Sequence, residues 1–309
     1  MDTVNTYRAV NESFKKKLAF RIGIDAGFFS EYNNMILAMV YCLMHRIRFS
    51  LYSEHAWFNE KGWTEFFMPF CPEEKSRLNL KLNAQRELPP PDAKRTRLLT
   101  AYAKIRYGID LFTWELWKEF RDRELEQTFF DVPELGIHGD LREACRVIND
   151  MVWRYNQETQ SEVNQLIESI HLPETYLGFH IRGGDKFKED DLQPISSYFD
   201  EMSRHSACRD AFILTDDYRI IQTIGKEYPE WTLYTLCTEE EHGYYHQQFM
   251  QESPDFIRQQ TLRLFASTDI LRRSEFFIGT FTSNPGMYLG MLMDRDRCLG
   301  VGGSNWRIW

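Results

Sequence analysis

No two of the six cysteines in this 309-residue chain form a CxxC pair, and zinc-type spacing is absent. Cys42, Cys71, Cys145, Cys208, Cys237 and Cys298 are scattered, and a chain of this length can fold without disulfide staples. They read as reduced thiols. Long apolar runs are missing as well. The longest, "MILAMVYCLM" at 35–44, falls far short of the ~18 residues of a bilayer span and reads as a buried helix. The first residues, "MDTVNTYRAVNESFKKKLAF", have none of the apolar h-region of a leader, so a cytoplasmic protein with no membrane span is expected. Positive charge is in deficit: 37 Lys and Arg stand against 46 Asp and Glu, a net charge of -9. That balance argues against phosphate-backbone binding as the main activity, and no nucleic-acid partner is expected. Internal repeats and low-complexity tracts are absent too. What the chain does have is 43% hydrophobic and 15% aromatic residues, enough for packed cores in one large or two ordinary domains.

Along the chain, "AFRIGIDAG" (19–27) reads as a strand and turn, "EYNNMILAMVYCLMHRIR" as a helix with a basic last turn, and "FSLYSE" as a second strand. The prolines of "ELPPPDAKR" (87–95) break the pattern. Residues 96–130 read as mostly helical, and 140–170 as one long helix capped by Asp140. From 171 the texture changes. Strands "TYLGFHI", "AFILTDD", "WTLYTL" and "EFFIGT" alternate with helices "PISSYFDEMSRH", "RIIQTIGKEYP" and "DFIRQQTLRLFASTDILRRS". That alternation predicts a parallel sheet covered by helices on both faces. The expected architecture is α/β, with two Rossmann-like domains facing a cleft, divided into 1–165, with a helical insertion, and 166–309.

Ligands of such sheets bind beyond the carboxyl ends of the strands. There the sequence places "HIRGGDK" (180–186), "TDD" (215–217) and "GTFTSNPG" (279–286). Gly183 and Gly184 allow backbone to approach a ligand, Arg182 offers a planar fork for phosphate oxygens, and Lys186 a point charge. Asp185 is placed to hold Arg182 as an internal ion pair. A solvated surface turn is the plainer alternative for this segment, and helix capping is the plainer alternative for Asp216, Asp217 and the "TFTSN" loop. His242 and His246, in "HGYYH", lack an evident third metal ligand, and the tryptophans Trp57, Trp63, Trp114 and Trp117 read as core more readily than as sugar platforms.

"HIRGGDK" resembles the HxRRxDK motif of the α1,6-fucosyltransferases, the core fucosyltransferase and NodZ-type enzymes within the fucosyltransferase superfamily. Other stretches fall in the same order: "MVYCLMHRIRFSLYS" after the turn "DAGFFSEYNN", then "KGWTEFF", "LQPISSYFDEM", "FILTDD" and "TDILRRSEFFIGTFTSN". The resemblance covers roughly 20–70 and 175–295, and 75–170 matches nothing in the family. It implies a GT-B-like, inverting, metal-independent glycosyltransferase with no cofactor beyond a nucleotide-sugar donor, GDP-fucose by default, and a glycan acceptor from a glycan-assembly pathway. The C-terminal domain would hold the donor and the N-terminal domain the acceptor. Arg182 would contact the diphosphate. His180, Gly183, Asp216, Asp217, Thr282, Ser283, Asn284 and Gly27 would join it in donor binding. The family's base falls at Asp190, with Glu189 and Asp191 as neighbours not separated from it, and Lys186 would orient the base or reach a phosphate. Two departures stand out: Gly183 replaces the second Arg of the motif, and the guanine-reading acid expected after "WTLYTL" is displaced to Glu239 or Glu240. They keep open another donor, such as a UDP-xylose or a deoxysugar nucleotide. A non-catalytic glycan- or nucleotide-binding relative is the alternative of a different class.

Overall fold

The computed structural model describes residues 3–84, 93–116, 124–183 and 193–308. The chain forms two compact units, Met1–Asn156 and Gln157–Trp309. In the first, β1 (Lys16–Arg21) lies between β2 (Ile47–Tyr52) and β3 (Leu111–Phe112), all parallel, with Leu18 opposite both Phe49 and Leu111. Leu18, Ala19 and Phe20 are consecutive and all buried, as a strand covered on both faces requires. The helix Phe28–Met44 connects β1 to β2, completing the expected βαβ opening. β2 is an edge strand, and a side chain completes it. Asn11 donates from Nδ2 to the Phe49 carbonyl (2.9 Å) and accepts the Phe49 N–H at Oδ1 (2.7 Å), satisfying groups that an edge leaves unpaired. An aromatic cluster pins the connecting helix: Trp63 stacks on Phe67 with ring centroids 4.4 Å apart, and Tyr32 meets Trp153 edge-on at 5.1 Å. β4 (Phe130–Val132) and β5 (Ile137–Gly139) pair as a small antiparallel hairpin.

Among the described residues of 96–130 helix predominates, as expected: Ala93–Tyr107 and 113–116 are α-helical and Glu124–Gln127 forms a 3-10 turn, with the short β3 between them and β4 beginning at Phe130. One expectation is corrected. The 140–170 stretch is not one helix. Leu141–Val152, capped by Asp140 accepting from Glu143 N at 3.1 Å, ends at Trp153, and a second helix begins at Gln157. The break coincides with the division into units. The second helix, Gln157–Ser169, packs along the helix Pro254–Arg273, where Arg258 grips Glu162 with both Nη1 (2.9 Å) and Nη2 (2.7 Å).

The second unit holds a five-stranded, fully parallel sheet in the order β10 (Cys298–Gly300), β9 (Phe277–Gly279), β6 (Leu177–His180), β7 (Asp210–Leu214), β8 (Thr232–Tyr234). Leu177, Phe179, Ala211, Ile213 and Ile278 are fully buried, and Phe179 stacks on Phe199 of the helix Ile195–His205 at 4.7 Å. The strand order runs outward from β6 to β8, then returns to the other side of β6 with β9. That reversal makes the carboxyl ends of β6 and β9 a topological switch point, where doubly wound sheets bind their ligands. Among the described residues, no helix is long and apolar enough to cross a membrane.

Candidate functional site

Three segments converge at the carboxyl edge of this sheet. His180 closes β6 opposite Gly279, the last residue of β9. It is buried, with Nδ1 3.4 Å from the Ser283 hydroxyl. Ser283 precedes the helix Asn284–Leu292 and bonds back to the Thr280 carbonyl at 3.0 Å; Thr282 beside it is exposed. Thr280 is fixed in turn by the buried hydroxyl of Tyr198 at 2.7 Å. The start of the helix lies so close to β9 that a methyl group on Gly286 would come within 2.0 Å of the Thr280 carbonyl oxygen. Only glycine permits that approach. The result is a helix N-terminus, with its partial positive charge, aimed at the switch point.

Arg182 lies two residues beyond β6, and Asp216 organises it. The Asp216 carboxylate accepts from Arg182 Nη1 at 2.7 Å, from the Gly183 N–H at 2.8 Å and from the Tyr244 N–H at 2.9 Å. Its carbonyl accepts the Gly243 N–H at 2.7 Å. One side chain therefore ties the segment after β6 to the loop after β8. Arg182 also lies over the Tyr244 ring, 5.9 Å from its centroid. With 17% of its side chain exposed, the guanidinium is oriented yet still reachable.

Asp217 does something different. It is buried, caps the helix Tyr218–Glu227 through the Arg219 N–H (3.0 Å), and pairs with the Arg219 guanidinium at 2.5 Å. The Arg219 side chain holds its carboxyl below the usual range. Here the capping alternative describes the geometry. It also gives a physical reason for the glycine that replaces the motif's second arginine, since a Cβ on Gly183 would lie 3.1 Å from Asp217 Cβ.

The remaining expected residues divide. Gly27 caps the helix Phe28–Met44 in the first unit. Asp185, Lys186, Glu189, Asp190 and Asp191 lie outside the described residues, as does Trp117. Trp63 is core, whereas Trp57 is half-buried with its indole N–H on the Ala26 carbonyl at 2.9 Å. His246 meets the Tyr244 hydroxyl at 2.7 Å, and among the described residues no three His, Cys, Asp or Glu side chains gather as a metal site.

Three features had no clear signal in the sequence. Tyr244 and its loop meet the site through Asp216 and the Arg182 guanidinium. Arg263, on the helix Pro254–Arg273, donates to the Leu236 carbonyl and pairs with Glu241 at 2.9 Å, bracing the same loop. In the first unit, Glu31 is fully buried and accepts the N–H groups of Gly23, Ile24 (2.7 Å), Asp25 (3.0 Å) and Ala26 (3.0 Å). Burial pushes its carboxyl up to about 7 against the opposing pull of those four bonds. The one hint was a carboxylate within an otherwise apolar helical stretch.

No family model matches the chain, and no curated protein matches it in sequence. Solved structures do. NodZ alpha-1,6-fucosyltransferase soaked with GDP-fucose aligns over 90% of this chain and 93% of its own, with a TM-score of 0.53 and 15% identity. The same fucosyltransferase NodZ from Bradyrhizobium, solved as the Se-Met protein, gives the same TM-score of 0.53 over 90% and 92%. POFUT1 in complex with GDP-fucose aligns over 94% of this chain and 98% of its own, with a TM-score of 0.52 and 10% identity. At these identities the likeness concerns the fold. The chain has the two-unit, GT-B-like α/β fold found in these fucosyltransferases.

Proposed function

We propose that the protein is an inverting, metal-independent glycosyltransferase that moves fucose from GDP-fucose to a hydroxyl of a glycan. The observation that carries this reading is Arg182, fixed by Asp216 beside a helix N-terminus at the switch point of a parallel sheet. In such a transfer, charge builds on the β-phosphate as the sugar leaves, and an oriented guanidinium together with backbone N–H groups stabilises it. His180, Gly183, Thr282, Ser283 and Asn284 complete the donor side, with Asp216 as the residue that positions Arg182. Asp190 is the base that takes the acceptor proton, with Lys186 orienting it. The second unit holds the donor and the first the acceptor. The likeness to structures that contain GDP-fucose supports that nucleotide.

A second reading, with a UDP-sugar as donor, is favoured by one observation. Directly after β8 stand Leu236, Cys237 and Thr238 where an acid is expected; the displaced candidates Glu239 and Glu240 are exposed, and the next acid, Glu241, is engaged by Arg263 and by the Thr238 N–H at 2.9 Å. Thermal unfolding with GDP and with UDP, each with and without EDTA, separates the two. Ligand at ~100 Kd adds about 2.7 kcal/mol to the folded state. A GDP shift insensitive to EDTA is expected. A shift with UDP alone would replace the donor, and a shift abolished by EDTA would overturn metal independence.

Cytoplasmic glycan assembly is the proposed setting, supported by six free cysteines, of which Cys42, Cys71, Cys145 and Cys298 are buried. Thiol titration of the denatured native protein should find all six reduced; fewer would argue for an oxidising compartment.

A further inference from the structure

The helix Ala93–Tyr107 carries apolar residues on two sides. One side is explained by packing: Leu99 and Ala103 join Leu82, Ile109, Phe112 and Trp114 in the core. The other is not. Leu98, Tyr102 and Ile105 are 72%, 53% and 86% exposed. Their spacing of four and then three residues places them in one stripe. A solvent-facing helix normally presents polar residues there.

The charge carried by this helix is equally one-sided. In a chain of net charge -9, this helix holds Lys94, Arg95, Arg97, Lys104 and Arg106 and no acid. Lys104 is paired with Glu115 at 3.3 Å, whereas Arg97 and Arg106 are exposed on either flank of the apolar stripe. We infer that this face docks the protein on an anionic lipid surface, with Leu98, Tyr102 and Ile105 entering the headgroup boundary and the flanking arginines meeting lipid phosphates. Aliphatic side chains surrounded by cations suit that boundary. They suit nucleic acid less well, because of the three only Tyr102 offers a face on which a base can stack. A second copy is disfavoured, since a symmetric contact would set the basic flanks against each other. The attachment is peripheral.

The test is co-sedimentation of the full chain with vesicles of phosphatidylcholine alone and with phosphatidylglycerol mixed in, at low and raised salt. Binding is expected only to the anionic vesicles and is expected to weaken with salt. Arg97→Gln and Arg106→Gln should each lower affinity about fivefold. Ile105→Asp should lower it ~10-fold or more, by removing buried hydrocarbon and adding a negative charge. Absence of binding would overturn the proposal, as would binding indifferent to Ile105→Asp. So would a dimer in light scattering that Ile105→Asp dissolves, which would assign the stripe to self-association. Nucleotide-dependent thermal stabilisation of the same variants should match the parent, so failure here stays separable from failure of the donor reading.

Discussion

Arg182→Ala should lower transfer by ~10²-fold or more, the usual loss when one preorganised charge at a developing oxyanion is removed. Two consequences of the change must be told apart. The guanidinium itself is gone, and Asp216 keeps its bonds to the Gly183 and Tyr244 N–H groups but loses its cation. Arg182→Lys separates them. A lysine restores positive charge near Asp216 without the planar fork, so activity should recover only in part. A kcat that falls with little change in KM would place the effect in the transition state. Transfer that survives Arg182→Ala nearly intact would remove Arg182 from the diphosphate site. The companion change Asp190→Asn should cost ~10²- to 10⁴-fold in turnover while sparing nucleotide binding. Unimpaired turnover would move the base to Glu189, Asp191 or elsewhere.

Stability should fall as pH rises from about 5 to 8, and Glu31 should be the main reason. Its carboxyl is raised from the ordinary 4.5 to about 7, with burial as the cause. A group whose pKa is raised on folding binds its proton more tightly in the native state. Its contribution is therefore complete below the unfolded value and is lost as pH climbs through the folded one. A shift of this size corresponds to about 3 kcal/mol. Urea midpoints measured across that range should show the decline, and Glu31→Gln, which cannot titrate, should flatten it. Glu31→Ala should act through a different cause: four backbone N–H groups lose their acceptor, at a cost of ~3 kcal/mol or more. A Glu31→Gln protein that keeps the parent's slope would assign the titration to another group.

The second unit was the more legible half. Its central strands β6, β7 and β9 are buried on both faces and so read as plain apolar runs, each followed by polar residues of the site. The first unit hid more. β3 is only two residues long, Leu111–Phe112, too short to show any period. The break after Val152 has no proline or glycine to announce it, since Trp153 to Asn156 continue the helical texture in composition. At the site, "HIRGGDK" and "TDD" identified the residues but not their division of roles. That Asp216 orients Arg182 while Asp217 caps a helix depends on contacts with Tyr244 and Arg219, and only the first of these spans many residues of sequence. A chemical pattern shows that two acids are adjacent; the backbone path decides which way each one points.

The turn after β1 stands where a doubly wound sheet commonly cradles its first phosphate. In this protein that cradle is already filled by a carboxyl group, because the Gly23–Ala26 amides close on Glu31. Such an intramolecular ligand competes at an effective concentration that free phosphate does not reach. Within the proposed reaction that turn is thereby closed to the diphosphate, which is left to the carboxyl edge of the second unit's sheet.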